Sequence, residues 1–228
     1  MAKGIALLVG VKDASEGGLG CENDVDSMAK ILSGIGGYTI NILKTEQATA
    51  PAILACIESA AKKLVSGDMF VFYFSGHGGQ RKTQISAEEP DGQDETLCVY
   101  DGEIVDNELA KCWQKFKPGV RIVMLSDSCY SGTNHSISQP QITKEDIKAQ
   151  SKILKRKPIK FNVNASEMKE QMKAQLIHFG ACRDDQVSAA HLDGAFTKVL
   201  ETVWNEKNGD FTGYCELYNA IRKWLPSD

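Results

Sequence analysis

The sequence predicts an α/β protein, a mainly parallel sheet with helices on both faces. Three observations predict it. Short, continuous apolar runs recur along the chain, at Ile5 to Val11, Met69 to Phe74 and Val120 to Leu125, as strands buried on both faces require. Segments with apolar residues at helical spacing lie between them. The 228 residues, 42% hydrophobic and 25% charged, suffice for one sizeable core without covalent staples.

Taken in order, Ile5 to Val11 (IALLVGV) is the first strand. Asp24 to Leu32 follows as a helix, with Val25, Met28, Ala29 and Leu32 on one side. Tyr38 to Leu43 (YTINIL) alternates as a second strand. Thr49 to Leu64 reads as a helix capped by Thr49, with Pro51 in its first turn. Met69 to Phe74 (MFVFYF) is the strongest strand. Asp106 to Phe116 reads as a helix capped by Asp106, and Val120 to Leu125 (VRIVML) as a further buried strand. Leu176 to Cys182 (LIHFGAC) gives one more strand, and Ala195 to Trp204 and Tyr214 to Trp224 give two closing helices.

Two segments interrupt the alternation. Residues 84–110 hold nine acidic residues (Glu88, Glu89, Asp91, Asp94, Glu95, Asp101, Glu103, Asp106 and Glu108) and no lysine or arginine. Residues 144–173 hold nine basic residues against four acidic ones. With the polar, turn-rich stretch before it (NHSISQP), the latter predicts a long exposed connection from about 133 to about 174.

Composition narrows the function. The formal net charge of −4 disfavours general nucleic-acid binding. No apolar run approaches the ~18 residues of a membrane span. The opening MAKGIALLVGVKD is too short in its apolar part, and too interrupted by glycine, for a secretory signal. A cytoplasmic location with reduced thiols follows as the expectation. The seven cysteines form no CxxC pair, so no zinc ribbon or thioredoxin-type site is expected. A metal-dependent hydrolase lacks its His and carboxylate spacing. No GxxxxGK[ST] loop occurs, and a Cys-x5-Arg phosphatase loop would need arginine at 135, where His135 stands.

In parallel sheets, chemistry sits beyond the carboxyl ends of the strands. After MFVFYF comes Ser75-Gly76-His77-Gly78-Gly79, and after VRIVML comes Ser126-Asp127-Ser128-Cys129-Tyr130-Ser131-Gly132. Both segments leave the sheet on the same rim. A histidine there can take the proton of a cysteine thiol, whose pKa near ~8.5 otherwise leaves it mostly protonated, and later protonate a leaving amine. Glycines beside it let backbone N–H groups approach a carbonyl, with Gly78 and Cys129 as the natural oxyanion donors. Cys56, Cys98, Cys112, Cys182 and Cys215 sit in apolar patterns and read as small hydrophobes. His135, His178 and His191 read as structural.

FYFSGHGGQ and LSDSCYSG resemble the two catalytic signatures of the caspase-like cysteine peptidases (peptidase family C14), in particular the metacaspase and bacterial orthocaspase branch. LGCENDVDSM, DGQDETLCVYDGEIVDNEL, ACRDDQ with GAFTKVL, and TGYCELYNAIRKWL resemble further metacaspase segments, so that most of residues 4–225 is covered. The resemblance implies a caspase-like, mainly parallel six-stranded sheet within one peptidase domain. Residues 1–133 would be large-subunit-like, 134–174 a lysine-rich connection, and 175–228 small-subunit-like. It also implies His77 as base, Cys129 as nucleophile, and cleavage of peptide or protein substrates after arginine or lysine. Asp24 and Asp127 match the acidic residues lining the pocket for a basic side chain. A buried carboxylate pair favours a cation independently of any resemblance, and arginine binds it through paired charge-assisted hydrogen bonds. Asp24 also stands where a helix cap would, and Asp127 where a turn aspartate would.

Several metacaspases depend on calcium. Asp91, Asp94 and Asp106 are the candidates for its oxygen ligands here. Asn107 stands where an acidic pair is common, however, and TNHSIS after the nucleophile lacks a further acid. The ligand set is therefore incomplete, no cofactor is expected to be required, and the acidic stretch also reads as a solvated surface. Basic residues at Lys144, Lys148, Lys152, Lys155, Arg156, Lys157 and Lys160 offer self-cleavage sites, above all Lys152 to Lys157, or form the outer face of an amphipathic helix. Two other readings stand beside the peptidase: a caspase fold that has lost activity and serves as an interaction module, and a caspase-like peptidase with a different preference before the cut.

Overall fold

The structure is a computed structural model and describes residues 3–12, 20–82, 93–129, 172–180 and 195–224. Its backbone is a sheet of seven strands among the described residues. Five are parallel, in the order β2 (Tyr38–Lys44), β1 (Gly4–Gly10), β3 (Met69–Lys82), β6 (Arg121–Cys129) and β7 (Gln175–Gly180). The expected mainly parallel sheet is thus present, with seven strands among the described residues where the resemblance implied six. The other two strands, β4 (Gln93–Val99) and β5 (Gly102–Val105), form an antiparallel ribbon on the outer end of β3. They fall in the acidic stretch, whose apolar alternation is short and masked by charge.

Strand β3 runs well past the predicted Phe74. Its first half lies between β1 and β6, and from Gly78 to Lys82 it pairs with β4 instead. Gly79 permits the close approach there, since a Cβ on it would stand 2.8 Å from Thr96 Oγ1.

Each face of the sheet has its own core, and the pleat sorts the residues between them. Leu7, Val9, Phe70, Phe72, Phe74, Ile122 and Met124 face helices α2 (Ala50–Lys63) and α3 (Asp106–Gln114). There Trp113 packs against Phe70, Phe72 and Phe116, with ring centroids 5.8 to 6.2 Å apart. Each such pair contributes roughly 0.5–1.5 kcal/mol beyond simple burial. Ala6, Leu8, Val71, Tyr73, Val123 and Leu125 face the other way, towards α1 (Cys21–Ile35), α4 (Ala195–Glu206) and α5 (Tyr214–Arg222). This second face carries the candidate site.

The helix starts bear out one expected cap and correct another. Thr49 does cap α2, its Oγ1 accepting from Ala52 N at 3.3 Å, but Asp101 reaches across from the β4–β5 turn and accepts from Ala50 N at 2.8 Å. Asp106 is not the cap of α3. It is the first helical residue, and Glu108 Oε2 accepts from Val105 N at 3.1 Å. The acidic run is therefore partly internal, with Glu103 and Glu108 buried. It is not a wholly solvated surface. The predicted connection at 134–174 lies almost entirely outside the described residues, as do Ala181 and Cys182 of the last predicted strand. No helix among the described residues is long and apolar enough to cross a membrane.

Candidate active site

The site lies where β3 and β6 leave the parallel sheet. The ladder between them pairs Ser75 with Asp127 and, two steps further out, His77 with Cys129. The sheet thus brings the two predicted chemical residues to adjacent positions on neighbouring strands. His77 is half-buried, and Cys129 ends β6. Gly78 pairs with Leu97, the first rung of the antiparallel ribbon, so the histidine sits where β3 exchanges one partner strand for another.

One pleat below this pair is a buried polar cluster. Asp24 and Asp127 are each 9% exposed, which is low enough for their charges to matter. Asp24 is the fourth residue of α1, and no side chain caps that helix. Its Oδ2 instead accepts a 2.8 Å hydrogen bond from Ser75 Oγ on β3. This separates it from the helix-cap reading. Asp127 is a strand residue and not a turn aspartate. Its Oδ2 accepts from the backbone N of Thr197 at 2.8 Å and from Thr197 Oγ1 at 2.5 Å. Burial raises the Asp127 pKa above the usual carboxylate value, and donation from Thr197 and Phe196 offsets part of that rise. The groups opposing the rise are neutral donors.

Two further residues complete the cluster. Tyr73 Oη lies 2.5 Å from Thr197 Oγ1, and burial with the Asp127 charge nearby holds its phenol well above its ordinary pKa. Cys21, the first residue of α1, has its thiol pushed up to about 12 by burial, with Asp24 and Asp127 adding to the rise. A thiol held protonated in this way is a hydrogen-bond donor and a poor nucleophile.

The close docking of α1 has a local cause. Gly10 ends β1 beside Ser75, and a Cβ there would stand 2.6 Å from the carbonyl oxygen of Cys21 and 2.8 Å from Val25 Cγ2. Glycine lets the helix begin against the strand end and so carries Asp24 over the site.

Sequence reasoning missed Cys21, Ser75, Tyr73 and Thr197 as members of this cluster. Tyr73 and Ser75 were within reach, because a strand places alternate residues on one face and His77 fixes the parity. Thr197 carries no local signal, since its contact with Asp127 spans 70 residues.

Of the weak calcium candidates, Asp91 lies outside the described residues, and Asp94 is described only as a backbone position in β4. Asp106 Oδ1 accepts from Asn107 N at 2.6 Å at the start of α3. Among the described residues, no three His, Cys, Asp or Glu side chains gather as a metal site would require. The self-cleavage candidates Lys152, Lys155, Arg156 and Lys157, and His135, His191 and Cys182, also lie outside the described residues. His178 is exposed on β7, its Nε2 2.8 Å from Ser126 Oγ. Cys98 and Cys112 are buried and Cys56 is half-buried, but Cys215 is exposed and is not the core hydrophobe its pattern implied.

A parallel sheet with histidine and cysteine at adjoining strand ends defines the class, that of the caspase fold. The chain belongs to the caspase domain family, peptidase C14, which it matches over residues 3–227. It is 29% identical to metacaspase-1 of Schizosaccharomyces pombe over 96% of its own length and 64% of that protein. It is 36% identical to metacaspase-1 of Botryotinia fuckeliana over 56% of its length and 34% of that protein. The chain therefore spans less than two thirds of either metacaspase. Among solved structures, a Geobacter sulfurreducens protein shares 34% identity, with a TM-score of 0.71 over 99% of this chain and 90% of the other. Caspase-1 from Spodoptera frugiperda, at 10% identity, shares the fold with a TM-score of 0.58 over 98% of this chain and 75% of the other.

Proposed function

We propose that this chain is a cysteine endopeptidase that cuts peptide bonds after arginine or lysine. The observation that carries this reading is the pairing of His77 with Cys129 two steps beyond the buried Ser75–Asp127 rung, with Asp24 bonded to Ser75. The metacaspase relatives support the same class.

In this mechanism His77 takes the Cys129 thiol proton, and the thiolate attacks the carbonyl carbon of the scissile bond. The carbonyl oxygen becomes an oxyanion, received by the backbone N–H groups of Gly78 and Cys129. The tetrahedral intermediate collapses as the imidazolium gives its proton to the leaving amine. This breaks the C–N bond and leaves a thioester on Cys129. Water, deprotonated by His77, then attacks the thioester and releases the new carboxylate and the thiol. Asp24 and Asp127 take no part in the bond changes. They receive the cationic side chain before the cut, where a guanidinium finds two acceptors.

No metal enters these steps. Calcium, if bound through Asp91, Asp94 and Asp106, would act on the acidic stretch. The lysine-rich residues 144–160 would serve as the chain's own substrate, with Lys152, Lys155, Arg156 and Lys157 the preferred points of cleavage.

The test is turnover of fluorogenic peptides ending in Arg, Lys, Asp or Asn, with and without calcium, by wild type, Cys129→Ala and His77→Ala. Wild type should cleave the Arg and Lys peptides, and each variant should lose several orders of magnitude in rate. Equal or better cleavage after Asp would overturn the basic specificity. Near-normal turnover by either variant would overturn the dyad. A folded wild type inert to the whole panel would turn the reading towards an interaction module.

A further inference from the structure

Asp127 draws its support from a helix late in the chain. The helix N-terminus of α4 meets it directly. Thr197, the third residue of α4, gives both its backbone N–H and its hydroxyl to the same oxygen, Oδ2. Tyr73, on β3, meets the same hydroxyl from the other side. Proton bookkeeping fixes the direction of this chain. A carboxylate only accepts, so the single Thr197 hydroxyl proton goes to Asp127, and Thr197 Oγ1 then accepts from Tyr73 O–H. Thr197 therefore gives two donors directly to Oδ2 with Tyr73 behind them in relay, and the Phe196 backbone is a further donor to the carboxylate.

We infer that Thr197, backed by Tyr73, is a positioning residue for substrate recognition, a clamp that commits Oδ2 of Asp127 to the protein and presents Oδ1 to the incoming cation. This inference rests on the reading above that Asp127 receives the basic side chain. Its physical basis is the cost of leaving a buried carboxylate with few donors. Such a group protonates or rotates, and either change removes a charge-assisted acceptor from the pocket. A fixed carboxylate meets a guanidinium without first losing rotational freedom, which is where preorganisation gains affinity. The clamp also couples two parts of the chain. Asp24 arrives on α1 and Asp127 is set by α4, and the two helices touch through Ser27 Oγ and Glu201 Oε2 at 3.3 Å.

The groups facing Asp127 give the sign of its pH behaviour. From β3 come Tyr73 and Ser75, from α1 come Asp24 and Cys21, and from α4 come Thr197 and the backbone of Phe196. Burial raises the Asp127 pKa, and the α4 donors lower it. Removing the Thr197 hydroxyl therefore moves the acid limb of kcat/KM to higher pH.

The experiment measures kcat and KM against pH on an arginine peptide for wild type, Thr197→Val, Thr197→Ser, Tyr73→Phe and Asp127→Asn. Thr197→Val should raise KM about 10-fold with kcat little changed, as loss of a hydrogen bond to a charged group does. Its acid limb should shift upward, and Thr197→Ser should restore both. Tyr73→Phe, which keeps the ring in the core, should shift both in the same direction by less. If Thr197→Val does not fold, the Thr197→Ser and Tyr73→Phe pair decides. Wild-type KM and acid limb in Thr197→Val, or in Tyr73→Phe where that pair decides, overturn the clamp, and loss of arginine cleavage in Asp127→Asn alongside leaves the pocket reading standing. Wild-type arginine cleavage by Asp127→Asn overturns the pocket reading and the clamp with it.

Discussion

Cys21 and Cys129 stand in one site with opposite expectations. Burial beside two carboxylates pushes the Cys21 thiol up to about 12, and burial pushes Cys112 up to about 11. Neither forms useful thiolate near neutral pH. Cys215 is exposed. Brief iodoacetamide treatment of the folded chain at pH 7.5, followed by peptide mapping, should therefore label Cys129 and Cys215 and leave Cys21 and Cys112 intact. Labelling of Cys21 as fast as Cys215 would show that the buried, acidic surroundings do not control it. The same burial gives Asp127 a stability signature of definite sign. Its folded pKa is raised, so between the ordinary carboxylate value and the raised one the folded chain holds more protons than the unfolded chain. Its favourable contribution is present at low pH and is lost as pH rises through the folded pKa. Asp127→Asn, which keeps acceptors for Thr197, should melt no lower than wild type at pH 7.5, with any gain disappearing towards pH 4. A marked fall in Tm at pH 7.5 would contradict this sign.

Among the elements, α1 depends on a single missing methyl group. Gly10→Ala would drive a Cβ into the Cys21 carbonyl, a backbone atom that moves only with the helix. The expected result is a destabilised chain, by about 1–3 kcal/mol for overpacking, with kcat/KM on arginine peptides lowered because Asp24 moves with α1. Denaturant melts and peptide kinetics on Gly10→Ala read the two effects separately, and an unchanged Tm would refute the close-packing argument. The long apolar elements were legible because each carries a period of its own. Met69 to Phe74 is continuous where both faces are buried, and α2 announces itself through Thr49 and Pro51. The β4–β5 ribbon was not legible. Its strands read Gln93–Val99 and Gly102–Val105, with acids at the positions that alternation uses. Acids in the ribbon and its turn have structural tasks set by distant partners, such as Asp101 at the start of α2. The candidate site divides in the same way. His77 and Cys129 follow from two strand ends and their glycines. Thr197 and Cys21 follow only from the packing of α1 and α4 on one face, which no local pattern encodes.

On the scale of the whole molecule, the sheet gives its two faces different work. The α2–α3 face is an aromatic core, while the α1–α4–α5 face ends in the polar cluster beside His77. Chain order then sets up self-cleavage. Residue 129 ends β6 at the proposed active rim, and residue 175 begins the parallel strand β7 beside Arg121 at the opposite edge of the sheet, so the segment that holds the lysine-rich residues 144–160 is tethered to the rim at its first end. Tethering makes the encounter intramolecular, so that modest affinity suffices. Purified wild type, incubated beside Cys129→Ala and followed by intact mass, should convert to two fragments with a new terminus after Lys152, Lys155, Arg156 or Lys157. Because the step is intramolecular, its rate constant should not change over a tenfold dilution of the protein. Replacing these four residues with glutamine should block conversion, and the peptide turnover of that variant reports whether cutting also activates the site. A wild-type chain that stays intact while turning over arginine peptides would remove self-cleavage from the proposal and leave the peptidase reading untouched.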